Sequence, residues 1–281
     1  MQIEVIIEKK SHKLDAEEGK TILETLQEHG IHVLTAPCGG RGRCGKCTVE
    51  VEHMGEVLAC MTKVTDGMRI TIPKVQLRAQ KSKIAENGTV THYPADDGEG
   101  LDAACDIGTT TVVCHLIDGK TGEKLATVSE PSAQRSFGAD VLSRIQAAEA
   151  GKLEILKEQI IFQIAQMLRT LQKKTGRGEQ IQRLAVVGNT VMCHLFAGIS
   201  PVSIGVTPFM PQEFFGKEYT GEQLGLTDCR SVYIAPAVAG FVGGDITSDL
   251  LAVMQKNPKE KVLLLDIGTN GEMAVGNEDQ I

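Results

Sequence analysis

Ala36-Pro37-Cys38-Gly39-Gly40-Arg41-Gly42-Arg43-Cys44-Gly45-Lys46-Cys47, with Leu58-Ala59-Cys60 soon after, is the stretch on which the fold turns. Its spacing is C-x5-C-x2-C-x12-C, and it gathers four of the eight cysteines into 23 of the 281 residues. The N-terminus Met1-Gln2-Ile3-Glu4-Val5 has neither the charged nor the apolar region of a signal peptide. No apolar run approaches the ~18 residues that span a bilayer. These features predict a cytoplasmic protein without a membrane partner. In that reducing compartment disulfides are disfavoured, so clustered cysteines point to a metal or to reactive thiols. Four glycines lie among the first three cysteines. They let backbone wrap a compact anionic object and aim N–H groups at sulfur. Arg41, Arg43 and Lys46 add positive charge, which suits an iron–sulfur cluster held by four thiolates. A structural zinc usually shows paired C-x2-C knuckles, and the solitary Cys60, read as heading a strand, fits that less well.

Outward from the loop the patterning is that of a small α+β domain over residues 1–77. Met1–Ile7 alternates as a strand, and a second strand follows the turn near Lys10-Ser11. Thr21–His29 places Ile22, Leu23 and Leu26 at helical spacing ahead of Gly30. Cys47–Glu52 and Met68–Pro73 read as further strands. The cysteine loop, with Leu58-Ala59-Cys60 and Asp66-Gly67-Met68, resembles a 2Fe–2S ferredoxin domain of the β-grasp type. The x5 spacing departs from the x4 of plant ferredoxins and matches a variant found in several ferredoxin-like modules. The resemblance implies that Cys38, Cys44, Cys47 and Cys60 ligate a 2Fe–2S cluster that moves one electron at a time.

Residues 78–100 are polar and read as a linker. Beyond them, Ala103-Ala104-Cys105-Asp106-Ile107-Gly108-Thr109-Thr110-Thr111-Val112-Val113 is an apolar strand, a tight turn and a second strand. Val262-Leu263-Leu264-Leu265-Asp266-Ile267-Gly268-Thr269-Asn270-Gly271-Glu272 repeats that design 160 residues later. An Asp ending a buried strand can hold Mg²⁺ through water. The following Gly permits a sharp turn, and Thr hydroxyls with exposed N–H groups face phosphate oxygens. Two such turns facing each other would pinch the phosphates of a nucleotide. Strands and helices alternate between them: helical spacing opens at Ser136-Phe137-Gly138-Ala139-Asp140-Val141 and runs again over 153–171. A strand covers Leu184–Val187, and a helix covers Ile246–Met254.

The duplicated turn resembles the acetate kinase, sugar kinase, Hsp70 and actin (ASKHA) superfamily. The resemblance implies an α/β actin-like, ribonuclease H-like lobe over 101–259, with 260–281 as the first hairpin of an incomplete second lobe. It makes Asp106, Gly108, Thr109 and Thr110 one phosphate turn and Asp266, Gly268, Thr269, Asn270 and Gly271 the other. Asp106 and Asp266 then take the catalytic, cation-holding part. Joined to a ferredoxin domain, Gly188-Asn189-Thr190-Val191-Met192 and Ser136–Arg144 narrow the resemblance to reductive activators of corrinoid-dependent enzymes. Such proteins are iron–sulfur ATPases that return the Co(II) corrinoid of a partner methyl-transfer protein to Co(I), fed by an external low-potential electron donor. Alternatives of other classes are a ferredoxin-type carrier with a nucleotide-binding regulatory domain and a small-molecule kinase with a redox sensor. Because the chain stops at Gln280-Ile281, just past the second turn, it is expected to lack a competent ATP site by itself.

The remaining signals are plainer. Net charge is −7, aromatics are 4% and Trp is absent, which disfavours a nucleic-acid partner. Cys105, Cys114, Cys193 and Cys229 read as small core residues, and His115 and His194 as structural. Asp140 and Asp245 beside glycine turns read as helix caps, with a cation or nucleotide role as the alternative.

Overall fold

A computed structural model describes residues 1–73, 98–256, 259–277 and 279–280. The expected linker over 78–100 lies outside the described residues except for its last three, 98–100. The chain divides into two compact units, Met1–Lys83 with Ala133–Ala147, and Ile84–Ser132 with Ala148–Ile281.

The first unit is a mixed five-stranded sheet with one helix. Its elements are β1 (Gln2–Ile7), β2 (Lys10–Asp15), α1 (Ile22–Glu28), β3 (Thr48–Val51), β4 (Gly55–Leu58) and β5 (Arg69–Thr71). Sheet order is β2-β1-β5-β3-β4, with β1 and β5 parallel at the centre, which is the β-grasp arrangement. The alternation in β1 decides its facing, since Ile3 and Val5 are buried while Gln2 is exposed. Thr21 starts α1 through a capping box: its Oγ1 accepts from Glu24 N, and Glu24 Oε2 accepts from Thr21 N. Ile22, Leu23 and Leu26 turn inward into the core that also holds Val49, Ile70 and Ala59. One expectation is corrected here. Strand β4 ends at Leu58, and Cys60 sits in the turn after it, not at a strand head.

Residues 133–147 read from the sequence as part of the 101–259 lobe, yet they join the first unit. They form a 3₁₀ turn (Ala133–Phe137) and the short helix α2 (Val141–Ala147), where one helix had been expected from Ser136. Phe137 packs against His32, ring centroids 6.4 Å apart. Burial pushes the His32 imidazole down to about 4. A histidine depressed in the folded state contributes stability that is complete above its ordinary value near 6.5 and lost as pH falls through about 4. Amide exchange of α1 should therefore report a loss on the order of 2–3 kcal/mol between pH 6.5 and pH 4. His32→Gln should flatten that slope, and equal slopes in the two proteins would refute the assignment.

The second unit is built on a six-stranded sheet of β6 (Leu101–Ile107), β7 (Thr111–Asp118), β8 (Lys124–Pro131), β9 (Ile181–Val187), β10 (Lys217–Thr220) and β11 (Cys229–Ile234). Its order is β10-β11-β9-β6-β7-β8. β6, β7 and β8 form an antiparallel meander, β9 and β11 add parallel strands, and β10 closes the edge antiparallel. The meander makes this a mixed sheet rather than the simple strand–helix alternation read from the sequence. Helix α3 (Leu153–Thr175) buries Leu156, Ile160, Ile164, Met167, Leu168 and Leu171 and ends at Gly176 in the left-handed region, φ 68°. Helix α4 (Thr190–Ala197) packs on α3, and α5 (Gly244–Lys256) follows β11. β12 (Val262–Ile267) and β13 (Gly271–Gly276) form a separate antiparallel hairpin. No helix among the described residues is long and apolar enough to cross a membrane.

Cys105 and Cys114 are buried in the core, as their reading as small core residues expects; they lie directly opposite each other on β6 and β7 and are joined as a disulfide, which that reading did not include. Cys193 and Cys229 are buried and free. Among the histidines, His115 Nδ1 meets Thr127 Oγ1 at 2.8 Å, and His194 Nδ1 meets Thr190 O at 2.8 Å, which are structural roles.

Candidate functional site

The cysteine loop runs from α1 to β3. Gly39, Gly40, Gly42 and Gly45 all have positive φ, between 63° and 81°, so the loop's path is one that only glycine follows without strain. At Gly42 a Cβ would also come within 2.8 Å of Met61 Sδ. This path gathers the sulfurs in two pairs. Cys38 and Cys44 Sγ are 3.3 Å apart, and Cys47 and Cys60 Sγ are 3.3 Å apart. The first pair is half-buried and the second buried. Among the described residues, no three Cys, His, Asp or Glu side chains converge as a single-ion site would require.

Backbone donors sort the two pairs electrostatically. Burial works against ionisation of Cys38, but the Cys44 side chain and the N–H groups of Cys44, Arg43 and Arg41 prevail and bring it down to about 6. Burial comes first at Cys60, and with its neighbour Cys47 it pushes that thiol up to about 12, against one N–H from Gly42. The donor set therefore fits a 2Fe–2S group: two sulfur pairs, one for each iron, with amide donors aimed at them. Cys38 and Cys44 would hold one iron, and Cys47 and Cys60 the other. When bound, the group supplies one-electron chemistry.

The second site lies in the second unit, where the two Asp-Ile-Gly-Thr turns meet. Thr110 Oγ1 and Thr269 Oγ1 are 2.7 Å apart across 159 residues of sequence. Between the turns is a cleft of about 430 Å³. Gly108, Thr109 and Thr110 line one wall, and Gly268, Thr269 and Asn270 line another. Gly108 is obligatory, because a Cβ there would lie 2.5 Å from Thr111 O. The second turn is closed by the Gly268 N–H donating to Asn270 O at 2.9 Å, and Gly271 begins β13.

The floor of the cleft is acidic. Asp106 and Asp266 come together there, and Asp245 and Glu272 join them. Asp266 and Glu272 also face each other in the hairpin register. Burial first, then Asp245, Asp249 and Asp266, pushes the Asp106 carboxyl up to about 7. Its side chain still opens onto the cleft, so water there screens part of that push. Asp245, Asp249 and Glu272 are raised too, each by burial and then by its acidic neighbours. The crowded carboxylates make the floor of the cleft strongly negative. Asp140, by contrast, lies in the first unit and caps α2, its carboxylate accepting from Ser143 N at 2.8 Å.

Three contributors escaped the sequence reading. Asn189 caps α4 through Oδ1, and its Nδ2 donates to Thr109 Oγ1 at 3.0 Å, so it positions the first turn. The Gly188-Asn189-Thr190 motif signalled it without its role. Glu272 closes the second quoted motif, which signalled it without its role, and faces Asp266 across the hairpin, whereas Asp249 reaches the acidic group only through the tertiary fold and no local signal marks it.

Comparison with known proteins bears on the two stretches of chain that carry these sites. Residues 101–257, more than half the chain, match the family model described as the RACo middle region. The chain belongs to the RACo family. Residues 4–74 of this RACo-family chain match a 2Fe-2S iron-sulfur cluster binding domain. It is 28% identical to the corrinoid activation enzyme RamQ of Eubacterium limosum over 88% of this chain and 55% of RamQ. It is 28% identical to the [Co(II) methylated amine-specific corrinoid protein] reductase of Methanosarcina barkeri, over 63% of this chain and 34% of the reductase. A solved structure titled "Reductive activator for corrinoid,iron-sulfur protein" aligns over 99% of this chain and 62% of its own, with TM-score 0.61 and 26% identity. The RACo-family chain thus spans about half the length of the first curated relative it matches.

Proposed function

We propose that this chain is the electron-delivering and phosphate-binding part of an ATP-dependent reductive activator, returning a partner's Co(II) corrinoid to Co(I). The observation that carries the reading is the presence in one chain of a four-cysteine loop sorted into two sulfur pairs and of two phosphate turns in mutual contact. The names of the relatives agree with it.

Each part has a stated task. Cys38, Cys44, Cys47 and Cys60 hold the irons, and the amides of residues 41–44 stabilise the negative charge on sulfur. Arg41 and Arg43 are exposed beside Cys44 and give the loop a positive rim for an acidic partner surface. Thr109, Thr110, Thr269 and Asn270 receive phosphate oxygens, while Asp106 and Asp266 hold Mg²⁺ through water. An uphill one-electron step costs about 1.4 kcal/mol for every ~59 mV. Nucleotide offsets that cost if its affinity differs between states of the complex. An external low-potential donor supplies the electron.

The test is anaerobic. The chain, loaded with iron and sulfide and reduced, is mixed with a Co(II) corrinoid protein, and Co(I) is followed by its visible band. Co(I) should form, and the dependence of its rate on MgATP reports whether the two phosphate turns of this chain couple nucleotide to the electron step. Equal rates with and without MgATP would instead favour a ferredoxin-type carrier with a regulatory nucleotide domain. Zinc in place of iron would overturn the redox reading.

A further inference from the structure

Residues 133–147 occupy an unusual place in the chain. They lie inside the stretch matched by the RACo middle region, yet they belong to the compact unit of the cysteine loop. At their near end the chain is tied to the first phosphate turn, because Ser132 N–H donates to Thr110 O at 2.9 Å. The adjoining Pro131 is fixed in turn, its carbonyl accepting from Gln163 Nε2 at 2.9 Å. The next residue, Ala133, begins the segment seated in the first unit.

The seat is against the cysteine loop itself. Ala139 N–H donates to Pro37 O at 3.3 Å, one residue before Cys38. A Cβ on Gly39, one residue after Cys38, would meet Phe137 O at 3.5 Å and Ser143 Cβ at 3.7 Å. Buried Gln27 of α1 donates from Nε2 to Ser136 O at 2.9 Å. The segment is stiffened from within. Arg144 is fully buried and donates to Gly138 O at 3.3 Å and to Gln134 Oε1 at 3.4 Å. At the far end the helix is broken at Ala150 and Gly151, where Gly151 has φ 82°, a natural hinge before α3. The Ser136 hydroxyl is buried without a hydrogen-bond partner among the described residues, an unfavourable term in this seat.

We propose that residues 133–147 are a transmission segment. A phosphate ligand drawn to Thr109 and Thr110 changes the pull on Ser132, and the segment passes that change to Pro37–Gly39 beside Cys38. The inference rests on the nucleotide reading above in one direction only. By reciprocity, loading the cysteine loop must alter the phosphate turn through the same residues.

Hydrogen exchange on the full chain tests both directions, with iron–sulfur loading and MgATP varied independently and MgATP affinity measured by calorimetry. MgATP should slow exchange of the amides of residues 39–44 by on the order of threefold. Cluster loading should slow exchange at residues 110–111 and 132 by a similar factor. Gln27→Leu and, as a second variant, Phe137→Leu should abolish both cross-responses. Iron content and MgATP affinity should stay within about twofold of the unmodified chain, since neither residue touches sulfur or phosphate. Ligands that bind without any cross-response, or cross-responses that survive both variants, would overturn the proposal. If MgATP does not bind at all, the nucleotide reading fails, and the cluster-loading arm alone decides the segment.

Discussion

Serine at Cys44 or at Cys60 should each abolish iron–sulfur loading, but only Cys60→Ser should weaken the metal-free protein. The first half follows from pairing. If Cys38 with Cys44 and Cys47 with Cys60 each serve one iron, losing any sulfur leaves that iron with a single thiolate. Bound iron should then fall below about a tenth of the unmodified level, and the visible absorbance should go with it. The second half follows from burial. Cys60 is 7% exposed and belongs to the apolar core of the first unit, whereas Cys44 is half-buried at the loop surface. A hydroxyl in place of the Cys60 thiol demands a hydrogen bond that an apolar site does not supply, costing about 1–2 kcal/mol. Denaturant melts of the metal-free variants, read by hydrogen exchange in α1, measure the difference. Equal stabilities would show that the two sulfur pairs do not differ in burial as described. Full iron retention in Cys44→Ser would remove Cys44 from the ligand set.

The sequence carried some of this architecture and not the rest, for physical reasons that differ by element. The loop was legible because its chemistry is local: cysteine spacing and positive-φ glycines are both written in residue types. So was α1, whose Thr21 cap, Glu24 and inward Ile22, Leu23 and Leu26 all agree. The phosphate turns were legible through duplication, since one Asp-Ile-Gly-Thr says little and two say much. Strand β8, Lys-Leu-Ala-Thr-Val-Ser-Glu-Pro, was not, because it is nearly uniformly half-buried and shows no period of two. Edge strand β10 is four residues with two charges, and its sheet neighbour β11 defines it. Cys105 opposite Cys114 is a matter of register, which spacing alone does not reveal. The destination of residues 133–147 was equally hidden. Phe137, Val141 and Ile145 announce burial, but nothing local says which core receives them.

Asp106→Asn should stabilise the ligand-free protein above neutral pH while destroying its response to Mg²⁺ and nucleotide. The sign comes from linkage. Asp106 holds its proton up to about 7 in the folded chain but only to about 3.8 when unfolded. Between those values the folded state binds more protons than the unfolded state, so stability falls as pH rises, and levels off above about 7. Asparagine removes the titration. The variant should match the unmodified protein near pH 4 and exceed it increasingly toward pH 7 and beyond, as thermal midpoints across that range would show. The functional consequence has the opposite sign. A neutral amide at position 106 subtracts one anionic oxygen ligand from the acidic floor, so Mg²⁺-dependent ATP binding should weaken by at least about tenfold. A chain that becomes more stable as it loses its cation is one whose carboxylates are held together for a ligand rather than for the fold. The control is Asp118→Asn. Asp118 accepts from Arg177 Nη1 at 3.1 Å and from Thr121 N at 2.9 Å, and those contacts hold its carboxyl below the ordinary range. Its loss should cost stability at neutral pH and leave ATP binding alone. Identical pH profiles for Asp106→Asn and the unmodified chain would show that the acidic floor carries no repulsion for a cation to relieve.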